Sequence, residues 1–349
     1  MGKRWSSVTV VVMLLFLSVF TNGTVVVLPI VKIAEAVDII TWSDTNTTIN
    51  VTVERIEPRI NWYDFQNSTN VSKLNSRIDV EEEYKFCVDI TSDQGWSDID
   101  YINITAWFDN GTESSTYNQT EGGNLNMFLQ YENTTGVAQF RLLWPDDEVI
   151  LGSLAETVVD ANTHNLTFSF TPRYQVRYAP GDGAWDTVAG HNDSWSWNFN
   201  ITVTDASGNS DYAEDEYGVY MFSQIRQCLE NPSGSGSPGE NDIVLSPQTN
   251  VTTRCNANYS LFTNLPNLTD GMGNYIQNTS ISAEGGNLPR TNFDGSNPLY
   301  LYGSASTYRN HLNNTIQDSV YVQYWVNLSI GVLPGNYSAT VTYTITGET

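Results

Sequence analysis

The chain has 349 residues, with 39 acidic against 15 basic side chains and a net charge of −24. A surface this acidic repels nucleic acid and anionic lipid head groups, which excludes both as partners, and it attracts divalent cations. Cysteine and histidine number three each and form neither a CxxC nor a Cys/His cluster, which argues against zinc and iron–sulfur chemistry.

Lys3 and Arg4 precede an uncharged run from Val8 to Val31, and Ala34-Glu35-Ala36 closes the segment. A basic start, an apolar stretch and a small-x-small end are the parts of an export signal. The run is also long enough to span a bilayer. Residues 1–36 therefore read as a cleaved signal peptide or as an uncleaved N-terminal membrane anchor. Either way the rest of the chain lies outside, at the cell surface or beyond it, because Lys3 and Arg4 favour the cytoplasmic side. Membrane contact is then confined to residues 8–31 of an uncleaved anchor.

Residues 37–225 predict a first β-sandwich domain. Strand candidates follow one another at 48–63, 84–92, 99–108, 137–144, 164–172 and 196–205, separated by Gly, Asn and Asp turns. In the last of these, Phe199, Ile201 and Val203 alternate with Asn200, Thr202 and Thr204, the period-two signature of a sheet with one wet face. Helical character is confined to one or two turns in 150–161. Asp205 to Asn209 reads as a turn, and Gly218 to Phe222 as a closing strand. Residues 226–242 contain the stretch ENPSGSGSPGEND, which has no apolar run and predicts a linker.

Residues 243–349 predict a second β-sandwich domain, so the fold class is all-β with two immunoglobulin-like sandwiches. Val320, Val322, Tyr324, Val326, Leu328 and Ile330 share a face, as do Ala339, Val341, Tyr343 and Ile345. The turn Leu333 to Asn336 between them predicts a terminal hairpin.

The stretch GVLPGNYSATVTYTI, residues 331–345, resembles the last hairpin of surface and adhesion β-sandwich modules. ITVTDASGN, residues 201–209, resembles the last-strand endings of immunoglobulin-like repeats. Together they resemble archaeal or bacterial cell-envelope proteins with immunoglobulin-like domains. That resemblance implies adhesion, spacing or lattice roles and transfers no catalytic residue.

The chemistry in the sequence is that of modification and cation binding. N-x-[ST] sequons fall at Asn46, Asn50, Asn67, Asn70, Asn103, Asn110, Asn118, Asn133, Asn165, Asn192, Asn200, Asn250, Asn258, Asn267, Asn278, Asn313, Asn327 and Asn336. A density this high in an exported chain predicts a glycoprotein. Asp205, Asn209, Asp211 and Glu214 supply oxygens in near alternation, a candidate calcium loop, although the EF-hand order is not met. Ca2+ is the one cofactor the sequence suggests. Cys228 and Cys255 flank the linker and form a candidate disulfide in an oxidising compartment; Cys87 has no assigned role. His164 and His191 read as turn residues. Trp62, Trp96, Trp185 and Trp195 sit among polar neighbours and read as Trp closing the sandwich ends or as glycan-stacking surfaces.

These features describe an exported acidic glycoprotein with a structural or adhesive role and no enzymatic activity. A filament or lattice subunit is the specific version, with residues 37–46 donating a strand to a neighbour's sheet. Its partners would be copies of itself, other envelope proteins or glycans. The alternatives are a secreted carbohydrate-binding protein and, behind it, a secreted glycoside hydrolase using paired carboxylates.

Overall fold

The computed structural model describes residues 16–21, 24–29, 50–53, 55–109, 111–114, 117, 127–133, 138–144, 149–174, 176–183, 190–302 and 318–348. Residues 1–53 and 54–349 are separate units. In the first, β1 (Phe16–Thr21) pairs antiparallel with β2 (Thr24–Pro29). The apolar N-terminal stretch thus contains a hairpin, and no helix of the described residues is long and apolar enough to cross a membrane.

The second unit is all-β. Its first ten strands are β3 (Arg59–Asn67), β4 (Arg77–Ile78), β5 (Tyr84–Thr91), β6 (Ile99–Phe108), β7 (Met127–Glu132), β8 (Gln139–Trp144), β9 (Val149–Val158), β10 (Thr163–Pro172), β11 (Trp197–Asp205) and β12 (Ser210–Val219). They form a four-stranded sheet, β3-β5-β10-β9, and a six-stranded sheet, β4-β12-β11-β6-β7-β8. The pairings are antiparallel except for the short β12–β4 contact.

Alternation dictates which side chains meet between the sheets. Phe65, Phe86 and Phe170 come from three neighbouring strands of the smaller sheet, and their rings stack, with centroids 4.8 Å apart for Phe65–Phe86 and 5.3 Å for Phe86–Phe170. From the larger sheet, Phe199 approaches Phe86 at 5.1 Å and Tyr217 approaches Phe65 at 4.9 Å. All five rings are buried. The two sheets are therefore locked by aromatic contacts across the sandwich as well as by aliphatic burial.

Twelve residues that read as part helix, 150–161, lie instead largely in β9, an edge strand paired with β10. The apolar positions of ILGSLAETVV fit a half-buried strand with a bulge as well as they fit a helical turn, and pairing with β10 decides the matter.

The remaining strands are β13 (Ser223–Leu229), β14 (Ile243–Cys255), β15 (Asn258–Asn264), β16 (Leu268–Thr269), β17 (Tyr275–Ile276), β18 (Ile281–Gly285), β19 (Leu288–Asn292), β20 (Leu299–Tyr302), β21 (Asp318–Val326) and β22 (Thr342–Glu348). A five-stranded sheet, β13-β14-β21-β18-β19, packs on a three-stranded one, β20-β15-β22, around a second core. Buried hydroxyls join the layers: Tyr324 and Tyr343 share a 2.6 Å hydrogen bond, and Thr253 and Tyr259 one of 2.9 Å.

Two expectations change here. The terminal strands do not form a hairpin: β21 pairs with β14 and β18, whereas β22 pairs with β15 in the opposite layer. The apolar face expected from Val320 to Ile330 holds only as far as the strand does: Val320, Val322, Tyr324 and Val326 are buried, Leu328 is half-buried and Ile330 is exposed. The partners differ because the turn carries the chain across the sandwich. Residues 226–242 are also not a free linker. The segment begins within β13, which pairs with β14, and Ser233 then bridges to Ser246. Gly239 N–H donates to the Leu328 carbonyl at 2.9 Å. A Cβ at Gly234 would lie 2.9 Å from Leu245, and one at Gly236 would collide with Ile243. These glycines permit close packing rather than freedom.

The chain passes between the cores at Tyr220–Phe222, and Asn256 holds that passage. Its N–H donates to Phe222 O at 3.1 Å, its carbonyl accepts from Tyr178 N–H at 2.9 Å, its Oδ1 accepts from Phe222 N–H at 2.7 Å, and its Nδ2 donates to Tyr220 O at 2.8 Å. The Arg254 guanidinium lies 5.1 Å from the Tyr174 ring, a further contact between residues of the two halves.

Replacing Phe86 by Ala removes the ring at the centre of the first aromatic stack. Chemical unfolding should show a loss of about 3–5 kcal/mol, with far less effect from an equivalent truncation at the exposed Trp62.

Candidate functional site

The outer face of the six-stranded sheet carries rows of polar side chains fixed by register. Glu216, Asn198 and Trp107 align across β12, β11 and β6. Glu214, Asn200 and Thr105 form the next row, and Tyr212, Thr202, Asn103 and Gln130 the one after. Such a face is ordinarily wet. Here its first row is buried beneath residues 111–114, 182–183 and 190–195: Asp109, Asp193, Asn198 and Glu216 have almost no exposure.

Each buried carboxylate in this corner is engaged by the protein. Asp109 Oδ2 accepts from Asn198 Nδ2 at 2.5 Å, and its Oδ1 from Ser114 N–H at 3.0 Å. Asp193 accepts from the N–H groups of Asp182 (2.5 Å), Gly183 (3.3 Å) and Trp195 (2.7 Å). Glu216 accepts from the N–H groups of Asn192 and Asp193. The side chains thus stitch two loops onto the sheet by saturating backbone donors.

Burial nevertheless dominates their titration. Desolvation pushes Asp109 up to about 7, against the hydrogen bond from Asn198 and reinforced by Glu113. Desolvation likewise pushes Glu216 up to about 8, with Glu113 and Asp193 adding to it. Asp193 and Asp215 are raised by burial as well. Tyr63, which bonds to the Asp215 carboxylate, is pushed up to about 12 by burial and by that charge.

The residues expected to hold calcium are not gathered. Asp205 ends β11 and closes a turn, accepting from Ser207 N–H at 2.8 Å, Asn209 N–H at 2.9 Å and Asn209 Nδ2 at 2.8 Å. Burial acts to raise its carboxyl, but these bonds more than offset that and hold it below the usual range. Asp211 lies on β12 and accepts from Ile60 N–H at 2.8 Å, while Glu214, further along the strand, sits 3.9 Å from His191. The acidic run is a strand rather than a loop. Its oxygens serve N–H donors, and among the described residues no three His, Cys, Asp or Glu side chains have metal-holding geometry.

The expected disulfide between Cys228 and Cys255 is also not formed. Cys228 is exposed opposite Val251, whereas Cys255 is buried opposite Ser223. That offset along the ladder exceeds the roughly 7 Å between Cα atoms that a disulfide can span. Cys87 is buried, and burial raises its thiol.

The histidines are not simple turn residues. His164 lies within β10, stacked on Trp96 at 4.0 Å with its Nδ1 2.6 Å from Glu156. His191 contacts Phe199 O at 3.2 Å beneath the folded-over loop. Trp62 and Trp195 are 52% and 42% exposed. Asn46, Asn110, Asn118, Asn313, Trp185 and the segment 37–46 lie outside the described residues. Asn50, Asn70, Asn165, Asn192, Asn267 and Asn336 are exposed, whereas Asn278 is buried; the other described sequon asparagines are half-buried. Of the carboxylate corner, the sequence shows the acidic run Glu214-Asp215-Glu216 but not its meeting with Asp109 and Asp193.

No protein-family model matches the chain, and no curated protein matches it. Among solved structures, the 35 kDa C-terminal fragment of the major pilin GBS80 of Streptococcus agalactiae aligns over 84% of this chain and 87% of its own, at 10% identity and a TM-score of 0.18. The C-terminal domain of the Streptococcus agalactiae AgI/II polypeptide BspA aligns over 82% of this chain and 96% of its own, at 7% identity and a TM-score of 0.20.

Because Asp109 and Glu216 hold their protons in the folded state to about 7 and about 8, the native protein binds more protons than the unfolded chain above about pH 4. The contribution of these two groups to stability should be fully present below about pH 4, fall as pH rises towards 8, and level off beyond. Thermal unfolding across that range reads the slope. Asp109→Asn and Glu216→Gln should each flatten it.

Proposed function

We propose that this chain is an exported, glycosylated structural protein of the cell envelope, in which residues 55–222 and 223–348 are two β-sandwich domains acting together as a spacer or adhesive subunit. The observation that carries the reading is the joint at Asn256, where one residue commits both backbone groups and both amide groups to the chain around Tyr178 and Tyr220–Phe222. A joint of this kind resists hinge motion. That suits a protein that holds distance or transmits force better than one that closes on a substrate.

The acidic composition, the dense sequons and the basic-then-apolar N-terminal stretch support an extracellular setting. The carboxylates of the buried corner are spent on backbone N–H groups, which supports a scaffolding role for them rather than a hydrolytic one. Partners are then other envelope proteins or further copies of the chain, met along open strand edges such as β9. A carbohydrate-binding reading is favoured only by the exposed faces of Trp62 and Trp195. Pulldown on insoluble polysaccharide with Trp62→Ala and Trp195→Ala controls separates it from the structural reading.

Asn256→Ala should leave Phe222 N–H and Tyr220 C=O without their partners and cost about 1–3 kcal/mol. Limited proteolysis should then cut near residues 220–222, where the parent chain resists. Immunogold labelling of intact cells of the native host should decorate the surface. Label confined to the cell interior overturns the envelope assignment.

A further inference from the structure

We propose that the fold sorts its sequons, and that Asn103 and Asn200 carry glycans side by side on the outer face of the six-stranded sheet while Asn278 carries none. This rests on the reading of the chain as a glycoprotein and specifies where the sugars go.

Asn103-Ile104-Thr105 lies on β6 and Asn200-Ile201-Thr202 on β11. The antiparallel register makes the two triplets reciprocal: Asn103 faces Thr202, Ile104 faces Ile201, and Thr105 faces Asn200. Both isoleucines are buried in the core, so the asparagines and threonines of both triplets point to the opposite face. Asn103 and Asn200 are diagonal neighbours, about 7–8 Å apart by strand geometry.

Their amides are held in the same sense. Asn200 Oδ1 accepts from Thr202 Oγ1 at 2.6 Å, and Asn103 Oδ1 accepts from Gln130 Nε2 at 3.0 Å. In each, the oxygen is engaged, and Nδ2 makes no hydrogen bond among the described residues. Both asparagines are half-exposed, in contrast to Asn198 one row away, which is fully buried beneath the folded-over loops.

Asn278 is the reverse case. It is 8% exposed, and its Nδ2 donates to the Leu265 carbonyl at 2.8 Å within the protein. Its backbone N–H donates to Asn267 Oδ1 at 2.9 Å. A Cβ placed on Gly295 would lie 3.7 Å from its Oδ1, so the chain closes over this side too. The side chain that would be sugared pins the 265–267 segment instead.

Transfer requires a sugar activated as a phosphate ester. The bond from the anomeric carbon to the phosphate oxygen breaks, and the phosphate leaves with the electron pair. Nδ2 then bonds to that carbon and gives up one proton. An open Nδ2 with its oxygen already engaged meets that requirement, and a buried one donating to a carbonyl does not. Two glycans at diagonal positions would also shield this face, which leaves strand edges for contacts between copies.

The test is intact-mass and glycopeptide mass spectrometry of the full chain expressed in its native host. The comparison uses Thr105→Ala, Thr202→Ala and Ser280→Ala, which delete each sequon while keeping its asparagine. The first two should each lose the mass of one glycan, and the double variant two. Ser280→Ala should lose none, and the peptide containing Asn278 should be unmodified. A glycan on Asn278, or unchanged mass in Thr105→Ala and Thr202→Ala while other sequons are occupied, overturns the proposal. Bare peptides at every sequon overturn the glycoprotein reading itself.

Discussion

Asn256 holds the passage between the two cores with four hydrogen bonds, and the relation of the halves of this unit depends on it. A polar backbone leaving one sandwich and entering another would normally satisfy itself with water, because loops run over the surface. Here the passage is only Tyr220 to Phe222, too short to be a flexible loop. Phe222 N–H and the carbonyls of Tyr220 and Phe222 are answered by Asn256, and Tyr220 N–H donates to Ile78 O. An amide is suited to this, since it presents a donor and an acceptor in one plane. An aspartate there would lose the bond to Tyr220 O, and a serine would lose reach.

The same economy of polar groups explains the carboxylate corner. Loops that fold over a sheet face must find partners for their N–H groups, and this chain uses Asp193 and Glu216 as acceptors for five such donors. Putting carboxylates out of water raises their affinity for protons, and their mutual proximity adds to it. The corner is therefore firm where the groups are protonated and carries growing repulsion where they ionise. An excess of acidic residues is usually an excess of solvated charge. Here part of it serves as structural hydrogen-bond acceptor.

Face assignment was the legible part of the sequence. Period-two alternation placed Phe199, Ile201 and Val203 inside, and burial agrees; the face read from Val320 to Ile330 is buried only as far as Val326. Partner assignment was not legible, because alternation says which side of a strand is dry and nothing about the strand beside it. Hence β21 and β22, adjacent in sequence and joined by a good turn, belong to opposite layers. The strand β9 was misread because a short apolar run satisfies both periods until a neighbour selects one. Gly234 and Gly236 look like flexible spacers in a Ser-Gly-Ser-Gly context, yet they are the positions where Ile243 and Leu245 leave no room for a side chain. The four residues read as a calcium quartet are drawn to different tasks: Asp205 and Asn209 close a turn on each other, while Asp211 and Glu214, three positions apart on β12, point to opposite faces.

The two N-I-T triplets show how far register carries a functional argument. Taken separately, each is a common tripeptide on a strand, and its composition gives it no special standing among the other sequons. The pairing of β6 with β11 turns them into one feature, because Ile104 and Ile201 must both enter the core and so both asparagines must leave it on the same side. A shift of one residue in that pairing would set Asn103 on the same side as a core residue of β11, so one of the two asparagines would enter the core, where an uncompensated amide is costly. The hydrophobic demand for register thus fixes where a hydrophilic modification is sterically allowed. The same logic closes Asn278, whose amide is consumed by the fold before any sugar could reach it.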